Sequence, residues 1–98
     1  MRRVIVRYRV KPDRVAENEE LVRAVYAELA DVQPDGLRYA TVKLDDGVSF
    51  VHIAVHEGDN PLPKLASFRT FSEGARERCD DPPVVTEATL VGSYRLLE

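Results

Sequence analysis

Two histidines, His52 and His56, stand four residues apart in the stretch FVHIAVHEGDNPL, and the chain has no others. Imidazole is the side chain that exchanges protons near neutral pH and the commonest ligand of metal ions. The pair could therefore be a metal clip, a proton-transfer site, or two packed residues without chemistry. On a helix this spacing would suit one metal ion. On a strand the two rings share a face but stand ~13 Å apart, and metal–nitrogen bonds of about 2.1 Å cannot then reach a common ion. The single cysteine, Cys79, has no base beside it in sequence; buried, it acts as a small hydrophobe. The decision rests on the elements that carry these residues.

The segment RRVIVRYRVK alternates, with Val4, Val6, Tyr8 and Val10 on one face and Arg3, Ile5, Arg7 and Arg9 on the other. That period predicts a strand. From Asp13 to Val32, Val15, Val22, Val25, Tyr26, Leu29 and Val32 form one helical stripe, with Asn18 near it, until QPDG ends the helix. Two strand-like runs, LRYATVKL and VSFVHIAVH, flank Asp45-Asp46-Gly47, a hairpin signal. His52 and His56 thus fall on a strand, and no metal site is expected. Leu62, Leu65, Phe68, Phe71, Ala75 and Cys79 recur at helical spacing up to DDPP. The tail VVTEATLVGSYRLLE is expected to be a final long strand, with Gly92 at a bulge.

The order βαββαβ over residues 1–98 predicts one α+β domain of the ferredoxin-like kind, a four-stranded antiparallel sheet with two helices on one face. Val4, Val6 and Tyr8, with Val51, Ile53 and Val55, are expected under the helices. The other face would hold Ile5, Arg7, Arg9, Tyr39, Thr41, Phe50, His52, Ala54 and His56, too apolar a set to be fully solvated, and the long last strand would project beyond its own sheet; both points call for a second sheet and hence a homodimer. The chain carries 14 basic and 17 acidic residues, net charge −3, without a basic block. That balance gives no reason to expect nucleic acid as a partner. No apolar run reaches the ~18 residues of a membrane span, and the charged start is no signal peptide. With one cysteine, a reducing and so cytoplasmic setting is expected.

The opening VRYRVKPD with its glutamate-rich helix, the run GLRYATVKLDDGVSFVHIAVHEGDNPL and the closing VVTEATLVGSYRLL resemble the antibiotic-biosynthesis monooxygenase-like domain of the dimeric α+β barrel superfamily. The resemblance implies a small oxygenase without metal, flavin or other cofactor. Such an enzyme oxidises phenols, anthrones or quinols, using the substrate's own carbanion or radical to activate oxygen. The haem-degrading branch uses an asparagine on the first strand and a tryptophan and a histidine on the second helix; this chain has none of them there and no tryptophan at all.

Under that reading His52 is the candidate general base, Arg7 would stabilise charge developing on the substrate, and Tyr39 would join them. Tyr8, Tyr94, Phe68 and Asn18 are the candidate contacts to a small aromatic ligand. Against this, His52 would be a hydrogen-bonded interface residue, His56 a solvent-exposed strand end, and Arg7 an ion-pair partner of Glu87. Asn60, before Pro61, is expected to cap a helix. The alternative function is a non-catalytic or isomerase-like small-molecule-binding protein with the same dimeric barrel.

Overall fold

The computed structural model describes residues 1–96. β1 (Arg2–Val10) is followed by a 3₁₀ turn and α1 (Val15–Val32). The hairpin β2 (Leu37–Lys43) and β3 (Ser49–His56) comes next, then a second 3₁₀ turn, α2 (Ala66–Glu73), α3 (Ala75–Arg78) and β4 (Cys79–Glu87). The strands form one antiparallel sheet in the order β2-β3-β1-β4, the ferredoxin-like arrangement expected.

Local chemistry accounts for the joints. α1 ends where Gln33 turns left-handed at φ 49° and returns its N–H to the Leu29 carbonyl. In the hairpin turn Gly47 takes φ 77°. The Asp46 carboxylate accepts from the amides of Val48 and Ser49 and from the Ser49 hydroxyl, which holds its pKa down at about 2. The Asn60 side chain accepts from the Leu62 amide at 3.0 Å, but Pro61 and Leu65 hold the N-cap positions of the 3₁₀ turn and of α2, so Asn60 is not the helix cap expected of it. α2 has no cap of its own; Glu28 of α1 accepts from the Ser67 amide and hydroxyl, tying the two helices together.

Several expectations are corrected. The second helix is broken at Gly74 into α2 and α3. DDPP does not end an element but lies inside β4. β4 is an edge strand, where a proline's missing N–H is tolerated, and its pairing with β1 shifts register around Arg9. The last strand stops at Glu87, so residues 88–96, including Gly92, carry no regular structure. The remainder of the expected strand, Leu97 and Glu98, lies outside the described residues.

The largest correction concerns the two faces of β3. Cross-strand partners share a face, and the register pairs Val6 with His52, Tyr8 with Phe50, Thr41 with His52 and Tyr39 with Ala54. Phe50, His52, Ala54 and Tyr39 therefore lie under the helices beside Val6 and Tyr8. Val51 and Ile53 pair with Arg7 and Ile5 on the opposite face. Burial follows: Tyr8 and Phe50 are buried in the core with Val10, Val25, Leu62, Leu65 and Phe71. The helix-free face is apolar at its centre, around Ile5, Ala40, Val51 and Ile53, with Val42 and Val84 exposed.

Candidate functional site

A cavity of about 390 Å³ opens between the helix side of the sheet and the α2–α3 segment. Its wall is largely apolar, from Val4, Val6, Ala54, Leu62, Phe68, Phe71 and Val85. Polar groups enter at a few points: His52 and Tyr39 from the sheet, and Asn60, Ser72 and Arg76 around the rest. An apolar concavity with few placed polar groups is the usual form of a small-molecule site.

His52 sits at the centre of a buried hydrogen-bond chain. Its Nε2 is 2.7 Å from the Tyr8 hydroxyl. Its Nδ1 is 2.5 Å from the Tyr39 hydroxyl and 3.2 Å from Thr41 Oγ1, and Thr41 is in turn 2.8 Å from the Tyr26 hydroxyl. Behind Tyr8, the Asn18 amide nitrogen donates to the Tyr8 oxygen at 3.0 Å, and Arg78 Nε donates to Asn18 Oδ1 at 3.2 Å. Aromatic rings pack the chain in place: Tyr8 stacks on Phe50, Tyr26 on Tyr39, and Phe71 lies 5.4 Å from the His52 ring.

Burial fixes the charge state of this chain. It lowers the His52 pKa from the ordinary 6.5 to about 4, so the ring is neutral at pH 7. It also raises the Tyr8 and Tyr39 hydroxyls well above their ordinary range, in Tyr8 against the opposing Asn18 hydrogen bond. His52 and the two tyrosines thus offer neutral donors and acceptors.

Of the residues singled out from the sequence, His52, Tyr39 and Phe68 come together on the cavity wall. Tyr8 and Asn18 are one layer back, joined to His52 by hydrogen bonds. Arg7 lies on the opposite face beside a separate groove with Ile5, Asp81 and Val84. Glu87 pairs with Arg2 rather than with Arg7. Tyr94 is 79% exposed in the tail, its ring under the Arg95 guanidinium. His56 is buried rather than exposed, with Nδ1 2.9 Å from the Gly58 carbonyl oxygen. Both histidines are on β3 with separate partners, and among the described residues no cluster of metal-binding side chains occurs.

Sequence reasoning missed Arg78, Ser72 and Arg76. One signal for Arg78 was Gly74 four residues earlier: a Cβ at Gly74 would stand 2.7 Å from Arg78 Nη1. The glycine leaves room for the guanidinium to fold inward.

The fold has counterparts among solved structures. SnoaB, a cofactor-independent oxygenase from Streptomyces nogalater, is 21% identical over 99% of this chain and 97% of its own, with a TM-score of 0.68. Rv0793 from Mycobacterium tuberculosis is 20% identical over 94% and 96%, at 0.76. An antibiotic biosynthesis monooxygenase is 18% identical over 94% and 100%, at 0.70. The chain has the antibiotic biosynthesis monooxygenase-like fold. No family model and no curated protein matches it. At these identities the likeness speaks for the fold. Among the described residues no helix is long and apolar enough to cross a membrane.

Proposed function

We propose that this protein is a cofactor-independent monooxygenase that oxidises a small phenolic, anthrone or quinol-type aromatic in the cavity between sheet and α2. The observation that carries the reading is the meeting of an apolar space of about 390 Å³ with one polar pair, Tyr39 and His52, on its wall. The flat ring would lie against Phe68 and Phe71, with its oxygen toward Tyr39 and His52. Loss of a proton from the substrate to solvent gives an enolate or phenolate, which the Tyr39 hydroxyl, held in place by His52, stabilises by hydrogen bonding. The electron-rich anion then reacts with dioxygen. For an anthrone, a ring CH2 becomes C=O; one oxygen atom enters the product, the other leaves as water with the two hydrogens. The substrate supplies all four electrons, and no external reductant is needed. The fold shared with a named cofactor-independent oxygenase supports this reading.

The working form we propose is a homodimer that packs the helix-free, apolar-centred faces of two sheets together, in the cytoplasm, where the lone buried Cys79 stays reduced. One observation favours the second reading, a non-catalytic or isomerase-like binder: both His52 ring nitrogens already have protein partners. Oxygen uptake and quinone absorbance over a panel of anthrones and naphthohydroquinones, with and without chelator, separate the two. Chelator-insensitive turnover supports the oxygenase. Tight binding of panel members without uptake above the uncatalysed rate supports the binder.

A further inference from the structure

Arg78 is 2% exposed, yet among the described residues its hydrogen bonds go to neutral groups and to no carboxylate. Nη2 donates to the Phe71 carbonyl at 2.8 Å, Nε donates to Asn18 Oδ1, and the guanidinium carbon lies 5.2 Å from the Phe71 ring centroid. A guanidinium can only donate. It therefore requires the amide oxygen of the fully buried Asn18 to face it, and that turns Nδ2 toward Tyr8.

The orientation propagates. The Tyr8 oxygen accepts from Asn18, and Nδ2 cannot accept a proton in return. The buried Tyr8 hydroxyl has one proton, and its remaining neighbour in the chain is His52 Nε2 at 2.7 Å. A buried donor left unpaired costs roughly 1–3 kcal/mol, so that proton goes to Nε2. A neutral imidazole that accepts at Nε2 carries its own proton on Nδ1. The Nδ1–H then donates to the Tyr39 oxygen at 2.5 Å, with Thr41 as the longer neighbour at 3.2 Å.

We propose that Arg78 and Asn18 are positioning residues that fix His52 as its Nδ1–H tautomer, so that Tyr39 meets the occupant of the cavity as a hydrogen-bond donor. With its oxygen accepting from His52, Tyr39 keeps its own proton to donate toward the cavity it lines, in competition with Thr41. The opposite tautomer would make Tyr39 and His52 a relay that draws a proton from the substrate. The consequence for chemistry rests on the oxygenase reading: the site selects and stabilises the ionised substrate oxygen, and His52 does not serve as the base. The tautomer itself does not depend on that reading.

The test is a long-range ¹H–¹⁵N spectrum of the imidazoles in the ¹⁵N-labelled full chain at pH 7, with His56→Gln used to assign His52. The expected spectrum shows His52 Nδ1 protonated and Nε2 unprotonated. In Asn18→Asp a carboxylate accepts from both Arg78 and the Tyr8 hydroxyl, which turns the Tyr8 proton away from His52. The His52 tautomer is then expected to invert to Nε2–H. A merely structural role for Asn18 would not move it. An Nε2–H or doubly protonated ring in the wild type overturns the proposal, as does an unchanged tautomer in folded Asn18→Asp. Should that variant not fold, the wild-type spectrum decides alone. Because the readout is spectroscopic, its failure and the failure of the oxygen-uptake assay are separate results.

Discussion

Acidification should destabilise this protein through His52 well before its carboxylates respond. Folded, His52 resists protonation down to about pH 4; unfolded, it titrates at its ordinary 6.5. Between those values the unfolded chain binds more protons, so stability rises with pH and is lost as pH falls through 6.5 toward 4. For one such group, lowering the pH from 7 to 5 removes about 2 kcal/mol. His52 is 3% exposed, so solvent screening takes little from that figure. The carboxylates held below their ordinary values, Asp46 foremost, lose their contribution at lower pH still. The assay is urea unfolding at pH 7, 6 and 5, for wild type and for His52→Gln, which keeps a hydrogen-bonding side chain but does not titrate. The wild type is expected to lose about 2 kcal/mol more than the variant over this range, at unchanged denaturant slope. Parallel losses in the two proteins would refute the assignment of a buried, neutral His52.

Other expectations follow from the same geometry. Tyr8→Phe keeps the ring stacked on Phe50 but strands Asn18 Nδ2 and His52 Nε2; chemical denaturation should show a loss of roughly 2–4 kcal/mol. Phe71→Ala removes a buried ring that touches Tyr8, His52, Phe68 and Arg78, and a fall of about 3–5 kcal/mol is expected in the same assay. On the helix-free face, Ile53→Arg should convert the proposed dimer to a folded monomer in sedimentation equilibrium, with circular dichroism unchanged; a dimer that persists would move the interface elsewhere.

The βαββαβ order was legible because each joint carries local chemistry: Asp46-Gly47 at the hairpin, Pro34 and Gly36 after α1. The faces of β3 were not. Its two sides are Phe50, His52, Ala54 and Val51, Ile53, Val55, both apolar enough to pack, so alternation alone could not say which met the helices. Only pairing with β1 and β2 settles it, and that moved His52 from Arg7's side to Tyr8's. Pro82 and Pro83 read as a break because their tolerance depends on β4 being an edge, a property of the whole sheet. Arg78 was hidden for a related reason. It sits in a charged run, ARER, whose default is solvent, and its partner Asn18 is sixty positions away. Asn18 on an apolar stripe and Gly74 before Arg78 were the local traces of that contact.

The most direct test of the account is the rate of quinone formation by wild type and Tyr39→Phe on a substrate the wild type oxidises. The variant keeps the ring and loses only the hydroxyl that would donate to the substrate oxygen in the cavity. The account predicts a fall in kcat of ~10²–10³-fold, the usual effect of removing one donor to a developing oxyanion, with the fold intact. Turnover by Tyr39→Phe at the wild-type rate would contradict it.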